Sequence, residues 1–247
     1  MAMQADAILF DKDGTLLDFD AFWISLSELS LGAVLARFAR QEIPIARQEI
    51  PMFELLEALG VHGNAADPNG ILCKGTYRQM GEAVHAILCR YGCEASADEV
   101  TDAVIAAYNV NADAGEVRPT SPALREILTA LRARGKRLAV VTTDTDRVTL
   151  RCLQRLGIED LFDRIYADDG KTPMKPDPFC ADDFCRTFGI PKSRVVMVGD
   201  TLTDVGFARN AGISVVSLAR SEQSRAMLSP VADAVISDLS ELSDVLA

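Results

Sequence analysis

At 247 residues, with 49% hydrophobic and 25% charged side chains, the chain can bury one large core or a core plus a smaller domain, and its composition is neither disordered nor collagen-like. A net charge of -11 and a pI of about 4.7, with no basic run, argue against nucleic acid or an anionic membrane as partner. No apolar stretch approaches a bilayer span, and the first residues carry no basic and then apolar leader, so a cytoplasmic protein is expected.

The first apolar run, Ala7-Ile8-Leu9-Phe10, is short and bounded and reads as a buried strand. It releases Asp11-Lys12-Asp13-Gly14-Thr15-Leu16 at its carboxyl end. From about 20 to 115 the texture is helical. Residues 21–40 place Phe22, Trp23, Leu26, Leu29, Leu35 and Phe38 at helical spacing, and a second run, 52–59, ends at Gly60. Between them Ala39-Arg40-Gln41-Glu42-Ile43-Pro44 recurs once, starting at Ala46, and reads as a local duplication. Residues 61–75 are rich in turn formers and read as a long loop, with no convincing strand. A helix over 76–91 ends at Gly92, and Ser96 with Glu99 forms a capping box that opens another helix, reaching about 112.

After Gly115 helices and strands alternate. Ser121 is expected to cap a helix with Pro122 at its first position, closed by Gly135. Strands follow at 137–142, 164–167, 194–198, 213–218 and 234–236, with helices at 146–156, from Asp177, and at 201–210. This pattern predicts an α/β protein: a Rossmann-like parallel sheet with helices on both faces over 1–19 and 116–247, interrupted by an inserted all-helical cap over 20–115. The six cysteines form no Cys-x-x-Cys pair and read as buried free thiols.

Chemistry gathers at the predicted strand ends, where open α/β sheets carry their ligands. Two acids at i and i+2 just past a strand can both reach one substrate, Asp11 as attacking carboxylate and Asp13 as proton carrier, with Gly14 allowing the tight turn. Thr142 ends a strand, where its hydroxyl either holds a phosphoryl oxygen or caps the next helix. In Gly170-Lys171-Thr172-Pro173-Met174-Lys175-Pro176-Asp177-Pro178, a proline-stiffened lysine can neutralise a carboxylate and a developing phosphoryl charge. Asp200 and Asp204 share a helix face if the helix starts at once, and Asp200 is alternatively an N-cap. Neighbouring carboxylates need a cation or a lysine, and Mg²⁺ suits such an oxygen-rich site.

Asp11-Lys12-Asp13-Gly14-Thr15-Leu16, Thr142, Lys175 in Lys-Pro-Asp-Pro, and Gly199-Asp200-Thr201-Leu202-Thr203-Asp204 resemble, in order, the four signatures of the haloacid dehalogenase superfamily. The helical insertion resembles the cap of its phosphoglycolate phosphatase and β-phosphoglucomutase branch. The resemblance implies Mg²⁺ held by Asp11, the backbone carbonyl of Asp13 and Asp200, with Asp204 in support. It further implies Asp11 as nucleophile forming an aspartyl-phosphate, Asp13 as general acid and base, Thr142 as phosphate ligand and Lys175 as charge stabiliser. Gly14 and Thr143 (where many relatives have Asn) are further substrate candidates.

In the cap, Lys74 and Arg78 are guesses for substrate contacts, and His62 and His85 are the only histidines available as a cap acid or base. Lys12 resembles the Asp-Lys-Thr-Gly-Thr of P-type ATPases, whereas most small phosphatases are apolar there; Asp13 and the lack of spans exclude an ATPase. The resemblance therefore implies a phosphatase for a small phosphorylated metabolite, phosphoglycolate first, working as monomer or homodimer. A sugar phosphomutase and a catalytically silent phosphate-responsive binding protein are the alternatives.

Overall fold

The computed structural model describes residues 3–39 and 50–247. The chain divides into two compact units, Met1–Asp18 with Val117–Ala247, and Phe19–Glu116. The duplicated hexapeptide falls almost entirely outside the described residues.

The first unit opens with β1 (Ala7–Phe10), buried at every position. The second unit follows. It is built on α1 (Phe19–Ala39), α2 (Met52–Ala58), α4 (Tyr77–Arg90) and α5 (Ala97–Asn111). Thr76 and Ser96 each close a reciprocal capping box with Gln79 and Glu99, satisfying first-turn amides of α4 and α5. The expected strandless loop over 61–75 needs correction. It folds as a two-stranded hairpin, β2 (Val61–His62) and β3 (Ala65–Ala66), followed by the one-turn helix α3 (Ile71–Lys74). Gly63 takes the positive φ of 62° at the hairpin turn.

A second correction concerns α1. Over Phe19–Phe38 it is long and apolar enough to cross a membrane by length and composition, with a mean hydropathy of 1.3. In the folded unit one face of it is buried. Phe22, Leu26, Leu31, Val34 and Phe38 are buried, and Ser27, also buried, accepts a 2.7 Å bond from the Tyr108 hydroxyl of α5.

From Val117 the first unit resumes with α6 (Leu124–Ala133), β4 (Arg137–Thr145), α7 (Asp146–Leu156), β5 (Arg164–Asp168) and α8 (Phe179–Phe188). Next come β6 (Val195–Gly199), α9 (Leu202–Ala211), β7 (Ser214–Leu218), α10 (Glu222–Leu228), β8 (Ala234–Ile236) and α11 (Leu242–Val245). The six strands of this sheet are all parallel, in the order β5-β4-β1-β6-β7-β8.

Alternate residues of each strand feed different faces. Ile8, Phe10, Val140, Val196 and Val216 pack with Leu124, Leu128 and Leu131 of α6. Ala7, Leu9, Val141, Met197 and Val215 pack with Phe184 of α8 and Phe207 and Ala208 of α9. Both faces are covered, which is why the strands read as unbroken apolar runs.

One predicted cap fails. Ser121 does not cap α6, which starts at Leu124 with no side-chain cap; its hydroxyl donates instead to Asp238, 117 residues away in sequence. The described cysteines are all free, but only Cys93, Cys152 and Cys180 are buried; Cys73 and Cys185 are half-buried and Cys89 is exposed.

Candidate active site

Successive strands run outward from β1 in opposite directions, through β4 and β5 on one side and β6 to β8 on the other. The crevice at such a reversal, beyond the carboxyl ends, is where a ligand fits an open parallel sheet. The ends of β1, β4 and β6 bring the signature residues there.

Asp11 follows β1 directly, and its amide donates to the Val198 carbonyl of β6 at 2.8 Å. The chain then turns sharply: the Lys12 carbonyl accepts from the amides of Leu16 and Leu17, both at 2.9 Å. Gly14 stands at φ 79°, and a Cβ there would overlap the Asp200 carboxylate. Two constraints, a left-handed backbone and a close approach, thus select glycine. Thr15, fully buried, donates its hydroxyl to Asp200 Oδ1 at 3.2 Å, tying the β1 loop to the end of β6.

Lys175 reaches in from the loop before α8. Its buried ammonium lies 2.5 Å from Asp11 Oδ1 and 2.6 Å from Asp204 Oδ1. The other Asp204 oxygen accepts from the Thr201 amide at 3.0 Å and from its hydroxyl at 2.7 Å. Thr201, not Asp200, is the N-cap of α9. Asp200 is therefore released from capping, while Asp204, with both oxygens occupied, buttresses Lys175. Gly199 leaves the room for this, since a Cβ there would overlap the Asp204 carboxyl.

The electrostatics show a surplus of acid in this cluster. Asp11, Asp200 and Asp204 each offer an oxygen within 4.8 Å of the others. Burial pushes Asp11 up; Lys175 opposes this, Asp204 and Asp13 add to it, and the group settles at about 7. Burial and the charges of Asp11 and Asp204 likewise hold Asp200 well above the carboxylate range. Burial alone would lower Lys175, but Asp11 and Asp204 outweigh it and hold the ammonium charged. One ammonium does not balance these acids, and hard oxygen donors in surplus suit a small divalent cation. The residues present fit such an ion.

Thr142, in the last part of β4 where its pairing with β5 shifts register, is buried, and its hydroxyl oxygen accepts the Asp144 amide at 3.2 Å. It does not cap α7, whose N-cap is Thr145. Thr143 is exposed. Two residues at this edge were not singled out as a pair by the sequence. Lys12, fully buried, places its ammonium 2.7 Å from Asp13 Oδ1 and 3.0 Å from Asp144 Oδ2. An Asp-Lys-Asp motif after a strand is the signal that could have prompted a search for a third acid.

In the helical unit, exposed Lys74 donates to Asn69 at 2.6 Å, and exposed Arg78 pairs with Glu82 at 3.1 Å and Asp98 at 3.5 Å. Their candidacy as substrate contacts rests on sequence position alone. His85 Nε2 lies 3.0 Å from the Ala95 carbonyl, and His62 is exposed in the hairpin.

Residues 5–212 match the family model "haloacid dehalogenase-like hydrolase". A phosphoglycolate phosphatase of Nitrosospira multiformis is 40% identical over 94 residues, covering 38% of this chain and 41% of that protein. One of Pasteurella multocida is 28% identical over 224 residues, covering 87% and 86%. The matches to the first five such relatives span between 40% and 55% of those proteins' own length. A Thermotoga maritima structure assigned as a β-phosphoglucomutase shares the fold at a TM-score of 0.67 and 20% identity, with 97% of each chain covered.

Proposed function

Because the chain belongs to the haloacid dehalogenase-like hydrolase family, we propose that it is a phosphatase hydrolysing a small organic phosphate monoester through an aspartyl-phosphate. The observation that carries this reading is the buried Asp11 carboxylate, held 2.5 Å from Lys175 at the end of the central strand, with Asp13 two residues on.

In this mechanism an Asp11 oxygen attacks phosphorus and the bond to the leaving alkoxide breaks as the new P–O bond forms. Asp13 gives its proton to the alkoxide, then accepts one from the water that attacks the aspartyl-phosphate, releasing inorganic phosphate and restoring Asp11. Lys175 orients Asp11 and offsets charge on the phosphoryl group, and Thr142 contributes a neutral hydroxyl to the phosphate end. Asp11, the Asp13 backbone carbonyl and Asp200 would hold Mg²⁺, which supplies charge stabilisation for phosphoryl oxygens when bound. Asp204 keeps Lys175 in place.

Phosphoglycolate is the first substrate to test, because full-length relatives carry that name. The test is phosphate release from a panel of small monoesters, with and without Mg²⁺. The expected result is metal-dependent release with one preferred substrate, reduced to background by Asp11→Asn. Full activity in that variant would overturn the reading. Interconversion of sugar phosphates without release would install the mutase instead, and silence in both assays the binding protein.

A further inference from the structure

Among the described residues, Lys12 is the one fully buried charged side chain at this sheet edge that the mechanism above does not use. A lysine is almost never buried without paired acids, and this one has two. Its ammonium lies 2.7 Å from Asp13 Oδ1 and 3.0 Å from Asp144 Oδ2.

Asp144 is itself fixed from several directions. Its Oδ1 accepts the Thr145 amide at 2.7 Å, and its own amide donates to Thr142 Oγ1 at 3.2 Å. A continuous set of short contacts therefore runs from the phosphate-end hydroxyl of β4, through Asp144 and Lys12, to the Asp13 carboxyl beyond β1. Asp13 is partly exposed, whereas Lys12 is sealed beneath it. The half-buried Asp13 carboxylate is thus tethered from the interior, as Lys175 holds Asp11.

We propose that Lys12 is a positioning residue: anchored by Asp144, it holds the Asp13 carboxyl in the orientation that delivers a proton to the leaving alkoxide. This rests on the assignment of Asp13 as general acid. An acid held in place spares the reaction the loss of side-chain freedom that an untethered one suffers. The tether acts on catalysis only through Asp13, so its loss should resemble loss of the acid and leave substrate binding alone.

The test uses the full chain and a series of aryl and alkyl phosphates of rising leaving-group pKa. A poor leaving group needs the proton, and p-nitrophenolate barely does. Lys12→Met is the direct variant, and Lys12→Met with Asp144→Asn removes both partners, leaving no unpaired buried charge on Asp144 to unfold the chain.

In folded protein, the double variant should lose about tenfold or more in kcat/KM on alkyl phosphates and retain most of kcat/KM on p-nitrophenyl phosphate, whose kcat falls only through the slower, Asp13-assisted breakdown of the aspartyl-phosphate. Its plot of log kcat/KM against leaving-group pKa should steepen, as Asp13→Asn steepens it, and adding Asp13→Asn should change little more. A uniform loss of kcat/KM across the series, beside a steep Asp13→Asn plot, would overturn the positioning role while leaving the acid intact. An unchanged slope in Asp13→Asn would instead remove the acid assignment itself.

Discussion

The two ends of the parallel sheet use the same residue types to opposite effect. At the amino edge, half-buried Asp163 takes Arg132, Arg137 at 2.7 Å and the Leu138 amide at 2.9 Å. Asp6 pairs with Arg194 at 2.6 Å, and Asp233 with Arg209 at 2.9 Å and the Val215 amide at 2.8 Å. All three acids are held below the ordinary carboxylate range. For Asp163 and Asp233 the hydrogen bonds and arginines outweigh burial; for Asp6 the Arg194 hydrogen bond leads. At the carboxyl edge, Asp11, Asp144 and Asp200 are pushed up, by burial first. The amino edge has matched its charges and fastens the strands. The carboxyl edge keeps acid in surplus, which costs stability and leaves a ligand something to satisfy.

The pH dependence of stability without metal should show this contrast most strongly, because it titrates several groups at once. Asp11 has a folded pKa of about 7 against 3.8 for the free side chain. Between those values the native state keeps a proton that the unfolded chain has lost, so this contribution is present at low pH and disappears as pH rises through about 7. Asp163 has the reverse sign. Its stabilisation is present above the unfolded pKa of 3.8 and is lost as pH falls through the lowered folded value. Denaturant melts should therefore place the optimum of the metal-free chain at about pH 4–5, with Mg²⁺ moving it upward. Stability that climbs from pH 5 to 7 in chelator would contradict the surplus.

Next in size is Asp163→Asn, which weakens two arginine pairs and the acceptor for the Leu138 amide. It should cost about 1–3 kcal/mol of unfolding free energy and leave kcat where it was. A fall in kcat without a fall in stability would mean that the amino edge is coupled to the chemistry.

This division also explains what the sequence disclosed. Asp11, Asp13, Thr142 and Asp200 could be picked out because each ends, or shortly follows, an apolar run, and Lys175 because prolines stiffen the loop that carries it; strand ends are readable from local pattern. Their convergence needs only the parallel order of the sheet, which the alternation of elements already implied. The ion pairs of the amino edge join residues such as Asp6 and Arg194, 188 positions apart, and no local pattern announces them. Ser121 illustrates the same limit: its context before Pro122 reads as a cap, but Asp238 captures its hydroxyl. The hairpin at 61–66 has two residues per strand, too few for any periodicity. Lys12 stayed unexplained because its second partner, Asp144, arrives from another strand.

The smallest expected effect is the most discriminating, because its sign opposes that of Asp163→Asn. Asp200→Asn removes one charge from the crowded edge while its side-chain oxygen can still accept the Thr15 hydroxyl. Without metal, the variant relieves repulsion with Asp11 and Asp204, both of which push Asp200 up. It should unfold with about 0.5–2 kcal/mol more difficulty than the parent chain. Added Mg²⁺ should then stabilise it less than the parent, since a ligand is gone, and phosphate release should fall with it. If Asp200→Asn were instead less stable in chelator, the carboxylate would be doing at this edge what Asp163 does at the other. The two ends of the sheet would then differ in sequence but not in electrostatic purpose.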